Sequence, residues 1–429
     1  MTTHPAPLAE AITRLRSGDR SVRAYLESRY ERIDEREAEI EAWVGGPKPR
    51  SQLKAEAEAL EDRHPNPENR PPLYGVPVGV KDIFHVHGLP TRAGSEVPRD
   101  EIVGPQAEVV TALRDAGALV LGKTVTTEMA YFQPGPTRNP HDTGHTPGGS
   151  SSGSAAAVAA GMCPLALGSQ TIGSVIRPAA FCGIVGYKPS YGRIPIGGVL
   201  PVSESVDHVG LFTQDVAGME RAADVCVDGW EDASVGPPTL GVPDDEYIEQ
   251  ATEVGLERFE ANVSSLEAAG YDVRRAEAFA DIERVNELHN RLIAAETAMV
   301  QDEWFDAYGD RYGEKTAELI TEGLEVPATE IGAGRRGRLE LRAAIEDRMD
   351  ERDIDVWITP SAPGPAPEGI DTTGDPIMNL PWTYVGLPAV TVPSGRVDGL
   401  PVGVQCVSRF DADEKLLAWS DSIGDVLAE

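Results

Sequence analysis

The sequence predicts an α/β protein in which a β-sheet is covered by helices on both faces. Two observations carry that prediction. From about residue 73 onward, short apolar runs alternate with helical patterns, the rhythm of βαβ units. In addition, no Asp or Glu occurs from Thr143 to Ser203, although the chain holds 70 acidic residues. At the chain's average composition about ten acids would fall in those 61 residues. So long an acid-free stretch in so acidic a chain is predicted to be shielded from solvent, and to contain the core and the functional site.

The elements follow in order. Residues 8–65 read as helical: Leu8, Ile12 and Leu15 share a face, as do Val22, Leu26, Tyr30 and Ile33. Ser51 precedes a second such pattern and is predicted to cap it. The stretch HPNPENRPP (64–72) breaks the pattern and leads into the main domain. VPVGV (76–80) reads as a strand, Val109, Val110 and Leu113 as a helix face, and ALVLG (118–122) as a strand. AAAVAAG (155–161) reads as a tight helix of small residues, and 231–239 as a linker. From 251 to 347 the chain is mostly helical and very acidic, with Leu256, Phe259, Val263 and Leu266 at helical spacing. Strand patterns return at DVWIT (355–359), AVTVP (389–393) and PVGVQCV (401–407), which are predicted to rejoin the main sheet. The expected organisation is a helical segment (1–65), a core (66–230), a variable helical region (231–347) and a C-terminal part completing the core (348–429).

Composition narrows the functional classes. The chain of 429 residues is long enough for an ample core. No apolar run approaches the roughly 20 residues of a membrane span, and the N-terminus lacks the apolar centre of a signal peptide. A soluble cytoplasmic protein with no membrane partner is expected. Cys163, Cys182, Cys226 and Cys406 show no metal-ligand spacing and read as reduced, buried residues. The formal net charge is −32, and only seven of the 38 basic residues are lysine. Acids are spread over nearly every segment expected to be exposed, which reads as a surface adapted to high salt. A nucleic-acid backbone would be repelled, so direct DNA or RNA binding is disfavoured.

Three segments carry chemistry. GVPVGVKDIF (75–84) puts Lys81 just after an apolar strand. TPGGSSSGSAAAVAAG (146–161) places Gly148, Gly149 and Gly153 around serines at the start of a helix. Glycines there permit backbone conformations that other residues avoid. A flexible Gly/Ser linker would not be fused to an apolar helix inside an acid-free stretch. ALGSQTIGSVIRPAAFCGIVGYKPSYGR (166–193) supplies Ser174 after Thr171, Ile172 and Gly173. GSSSG (149–153) also matches the G-x-S-x-G nucleophile elbow centred on Ser151, but that motif needs a preceding core strand, which RNPHDTGHTPG cannot be.

Taken together, the three segments resemble the amidase signature family, from about Leu73 to Val216 and again in TPSAPGPAP (359–367) and GLPVGVQ (399–405). The resemblance implies a mixed central β-sheet between helical layers and hydrolysis of a carbon–nitrogen amide bond without a cofactor. It implies Ser174 as nucleophile and Ser150, after a cis Gly149–Ser150 peptide, as bridging serine. Lys81 falls on the base, and the backbone of Thr171, Ile172, Gly173 and Ser174 on the oxyanion loop. The physics is coherent. A serine hydroxyl is a weak nucleophile until a base removes its proton. A lysine can be that base only when burial keeps it neutral.

The chain departs from the commonest pattern, GTDTGGSIR, by reading GSQTIGSVIR. Gln170 replaces an aspartate, Ile172 and Ser152 replace glycines, and the arginine moves one place to Arg177. Loop shape and substrate preference are where these changes act, since a β-branched residue at 172 narrows the backbone. The partner expected is a small-molecule amide, and the sequence leaves a homo-oligomer open. Two further readings stand beside the amidase. One is an A-type subunit of a glutamyl-tRNA amidotransferase, which belongs to the same family and delivers ammonia to a partner. The other is a catalytically inactive binding protein. Lys123 and Lys188 read as structural donors. His85-x-His87 and His141-x3-His145 lack a third ligand at defined spacing for a metal.

The charge gives a first prediction. Net repulsion opposes the compact state at low ionic strength, and a Debye length of about 3 Å at 1 M salt removes it. Melting temperature and activity are expected to rise from low to molar salt. A flat or falling response in a thermal-shift series would refute the salt-adapted reading.

Overall fold

The computed structural model describes residues 6–428. The opening MTTHP of the N-terminal stretch read above, and Glu429, lie outside that range. Three helices come first: α1 (Leu8–Ser17), α2 (Val22–Ile40) and α3 (Arg50–Arg63). Leu8, Ile12, Leu15, Val22, Leu26, Tyr30 and Ile33 are all buried, as their spacing requires. Ser51 does not cap α3. The helix starts one residue earlier, behind Pro49, whose φ of −54° already suits helix entry.

The core follows with β1 (Pro77–Lys81), α4 (Glu108–Asp115), β2 (Leu119–Thr124), α5 (Ser152–Ala159), β3 (Leu165–Gln170), α6 (Ile176–Cys182), β4 (Val185–Lys188), β5 (His208–Thr213) and α7 (Val216–Cys226). After the 231–239 connection come β6 (Leu240–Pro243), α8 (Glu253–Ala268), β7 (Val273–Ala276), α9 (Ile282–Tyr308), α10 (Glu314–Leu324) and α11 (Ala328–Glu351). The chain closes with β8 (Val356–Pro360), α12 (Leu380–Val385), β9 (Ala389–Val397), β10 (Leu400–Val407) and α13 (Asp413–Leu427).

The ten strands among the described residues form one sheet, in the order β2-β1-β3-β5-β4-β9-β10-β8-β6-β7. Strands β1, β2 and β3 run parallel; β3, β5, β4, β9, β10 and β8 are successively antiparallel; β8, β6 and β7 are parallel again. Every residue of β1, β2, β3, β4 and β5 is buried. Strands buried along both faces need cover on each side. The fold is therefore α/β, a mixed sheet between helical layers. β8, β9 and β10 rejoin that sheet as expected. β6 and β7 had no signal in the sequence, because runs of four residues are too short to show alternation.

The acid-free stretch lies at the centre. Residues 146–182 form an unbroken buried run. Its helix α5 packs against β1, β2, β3 and β5. Gly153 shows why the residues there are small: a Cβ on it would sit 2.3 Å from the Ala42 carbonyl oxygen and 2.4 Å from the Val125 nitrogen. The requirement at Gly153 is close approach, since its backbone is helical. Gly148, by contrast, takes φ of +82° and needs glycine for its conformation. Among the described residues no helix is long and apolar enough to cross a membrane.

Candidate active site

Three segments meet at the carboxyl ends of the parallel strands, the edge at which open α/β sheets hold ligands. β1 ends on Lys81, β3 ends on Gln170, and the loop entering α5 brings Ser150 between them. Lys81 has no exposed surface. Its Nζ lies 2.7 Å from Ser150 Oγ and 2.7 Å from Ser169 Oγ. Burial drives its pKa well below the usual 10.5, and the nearby Asp207 only partly opposes this. Asp82, the next residue, does not neutralise it. The chain turns directly after Lys81, with Phe84 N donating to Lys81 O at 3.0 Å, and Asp82 in that turn pairs instead with Lys123 Nζ at 2.7 Å. Of two buried lysines on neighbouring strands, one has a carboxylate and the other has hydroxyls.

Ser150, Thr171, Ile172, Gly173 and Ser174 line one narrow cavity. Lys81 stands behind this wall, reached through Ser150. The Gly149–Ser150 peptide is cis. Its Gly149 carbonyl accepts from the Arg177 guanidinium at 2.6 Å, and the same side chain donates to Gly374 O at 2.5 Å and Thr373 Oγ1 at 3.2 Å.

The 171–174 loop is held by its carbonyls. Thr171 O lies 3.0 Å from His289 Nε2, Ile172 O accepts from Thr383 Oγ1 at 2.6 Å, and Gly173 O accepts from Arg177 N at 3.1 Å. The four N–H groups from Thr171 to Ser174 have no acceptor among the described residues. A loop with fixed carbonyls and unused N–H groups beside a serine can stabilise negative charge on an oxygen. Gly173 has no room for a side chain, since a Cβ would come within 2.5 Å of Asn379 Oδ1.

The Thr171 hydroxyl donates to Asp207 at 2.6 Å. The other Asp207 oxygen accepts from Val202 N at 2.8 Å and Ser203 N at 3.0 Å. The residue keeps some surface, but its carboxyl is enclosed, and burial raises its pKa to about 6 against the pull of these three donors. The departure at Gln170 is built in. Its side-chain oxygen accepts from Val175 N at 2.8 Å and Ile176 N at 3.0 Å, as a carboxylate could. Its Nε2 then donates to Thr383 Oγ1 at 2.8 Å, which a carboxylate could not do.

The remaining candidates fall elsewhere. Ser151 is bolted to β3, its Oγ donating to Ser169 O at 3.2 Å and accepting from Ser169 N at 3.3 Å. Cys182 is buried, its thiol pKa pushed up by that burial. Lys188 Nζ donates to Leu387 O at 2.5 Å and Pro189 O at 3.1 Å. His85 Nδ1 lies 3.1 Å from Thr91 Oγ1, and His141 Nε2 lies 2.8 Å from Cys182 O. No group of three metal-ligating side chains converges among the described residues. Sequence reasoning missed Ser169, Asp207, His289 and Thr383. Ser169 lay inside a quoted motif, and Asp207 is one of the first acids after the acid-free stretch. His289 and Thr383 come from 118 and 213 residues away from their partners Thr171 and Gln170, with no local signal.

Fold and site together define an enzyme acting on carbon–nitrogen bonds. The chain belongs to the Amidase family, whose model matches residues 24–417. It is 35% identical over 403 aligned positions to the A-type subunit of the glutamyl-tRNA(Gln) amidotransferase from Symbiobacterium thermophilum (strain DSM 24528 / JCM 14929 / IAM 14863 / T), covering 81% of this chain and 82% of that one. It is 33% identical to the corresponding protein from Halobacterium salinarum (strain ATCC 700922 / JCM 11081 / NRC-1), covering 81% of this chain and 94% of the relative. A crystal structure of an amidase superposes with a TM-score of 0.88 at 31% identity, over 98% of this chain and all of the other.

The Gln170 network generates a stability prediction. Gln170→Ala strands the N–H groups of Val175 and Ile176 and removes the donor to Thr383 Oγ1, at a cost of about 1–3 kcal/mol. Gln170→Glu keeps the acceptor and should recover part of it. Urea unfolding midpoints check this, and an unchanged midpoint in the alanine variant would contradict the role.

Proposed function

We propose that this protein is an amidase that hydrolyses a small amide through an acyl-enzyme on Ser174. The observation that carries the reading is the Lys81 amine, buried and 2.7 Å from Ser150 Oγ, with no carboxylate in contact among the described residues. A neutral amine there accepts the Ser150 proton while Ser150 takes the proton of Ser174, a serine–lysine form of the triad logic. Ser174 Oγ attacks the amide carbon and forms the tetrahedral intermediate. The oxyanion is met by backbone N–H groups of the loop from Thr171 to Ser174, each such donor contributing roughly 2.7–4 kcal/mol. The proton returns through Ser150 to the leaving nitrogen, the C–N bond breaks, and ammonia or an amine departs. Water, deprotonated along the same path, then cleaves the acyl ester and restores Ser174. The reaction needs no cofactor.

A second reading rests on the relatives, which are amidotransferase subunits. On that reading the same apparatus releases ammonia to a partner chain. Co-purification of a stable partner, with turnover only in its presence, would favour it. A catalytically inactive binding protein has less support, because Lys81 and Ser150 are in hydrogen-bond contact and Ser174 lines the same cavity.

The test is ammonia release from a panel of aliphatic and aryl amides in molar salt. Ser174→Ala should lower the rate on the order of 10⁴-fold or more. Retained turnover in that variant would sink the assignment.

The pH profile follows from Lys81. Its useful form is neutral, and a depressed pKa makes that form available at lower pH than an ordinary lysine would. The rate should fall as pH drops through this pKa and level off well below 10.5. Lys81→Met should remove both the activity and the acid limb. A limb near 10.5 would instead mean an amine that is charged at rest.

A further inference from the structure

The cavity beside Ser174 is walled mainly by apolar side chains: Tyr131, Phe132, Ile172, Val202, Ile293 and Pro376. They come from separate parts of the chain, with Ile293 carried by α9 and Ile172 standing where the commonest family pattern has glycine. Ile172 and Ile293 belong to one buried apolar cluster that also holds Met378 and Leu380, which backs the wall and limits its movement.

Two polar side chains in this wall, Thr171 and Arg177, are held by neighbouring groups. The Thr171 hydroxyl is held by Asp207. The guanidinium of Arg177, the single charged group among the lining residues, is 1% exposed and donates to Gly149 O, Gly374 O and Thr373 Oγ1. Among the described residues its Nε has no partner. No carboxylate is among the lining residues, so a substrate ammonium would have no counter-charge. An ion buried without a partner is strongly disfavoured.

We infer that the cavity accepts a short, uncharged, apolar acyl group, and that Ile172 and Ile293 set its size limit. This deepens the amidase reading and rests on it. The substrate class is then amides of small aliphatic or compact aryl acids. Amino-acid amides, whose acyl part is zwitterionic or charged, are excluded. The N–H groups of the loop serve the reacting oxygen of any substrate, so discrimination falls to the apolar wall.

The experiment uses activated esters as well as amides, because acylation of Ser174 by an ester reads the acyl pocket directly. Wild-type protein is given p-nitrophenyl acetate, butyrate and hemisuccinate, together with butyramide and glutamine. The neutral acyl groups should be favoured over the charged ones by about 100-fold in kcat/KM. Ile293→Ala should raise the ratio of a bulky ester, p-nitrophenyl octanoate, to the acetate by about 10-fold. Ile293→Val should shift the same ratio less, and stands in if the alanine variant does not fold. A preference for hemisuccinate or glutamine would overturn the inference and assign Arg177 to reading a carboxylate. An unchanged size ratio in both variants would overturn the role of Ile293. Turnover lost in Ser174→Ala keeps the amidase reading intact whichever way the selectivity falls, whereas no Ser174-dependent cleavage of any ester would remove both.

Discussion

A lysine amine enclosed by hydroxyls is the constraint on which the rest of the site depends. Taking an ammonium out of water costs several kcal/mol unless a counter-charge repays it. Lys123, one strand away, has that repayment in Asp82. Lys81 has Ser150 and Ser169 instead, and the neutral form is the one such surroundings favour. The arrangement requires the Asp82 carboxyl to be committed elsewhere, and Lys123 Nζ and Arg92 N hold it. It also requires Asp207 to be near but committed, and that carboxyl is taken up by Thr171, Val202 and Ser203.

The same requirement explains the density around the site. Keeping water from Lys81 takes an unbroken buried run, and residues 146–182 supply it. Such a run can be packed only if the helix inside it is slim. α5 is built of Gly, Ser, Ala and one Val, and at Gly153 two backbone atoms from other segments occupy the space a side chain would need. The absence of acids there has the same origin, because a carboxylate in that run would need a partner of its own.

Distant parts of the chain finish the loop. The sheet positions Lys81 and Gln170, but the 171–174 loop takes its shape from α9 through His289 and from α12 through Thr383. Gln170 ties the loop to α6 and to Thr383 at once. Changes in α9 therefore reach the site by two routes: through the apolar wall at Ile293, and through the carbonyl of Thr171. The region between the linker and β8 thus both frames the cavity and steadies the backbone beside the serine.

The sequence by itself determined the α/β class, most of the larger elements and the three segments that meet at the site. These follow from local pattern: periodicity, glycine placement and the missing acids. It also marked the stretch that would be buried, because charge is expensive inside a protein wherever the chain goes. Only the tertiary structure decided that Ser169 joins Ser150 on the Lys81 amine, that Asp207 holds Thr171, and that His289 and Thr383 fix the loop carbonyls. Those contacts join residues up to 211 apart in the chain, and hydrogen bonds depend on separation in space, which no local pattern encodes. The short strands β6 and β7 were hidden for a related reason. Four residues carry too little periodicity to declare a strand, and it is the pairing of β6 with β8, and of β7 with β6, that makes them strands.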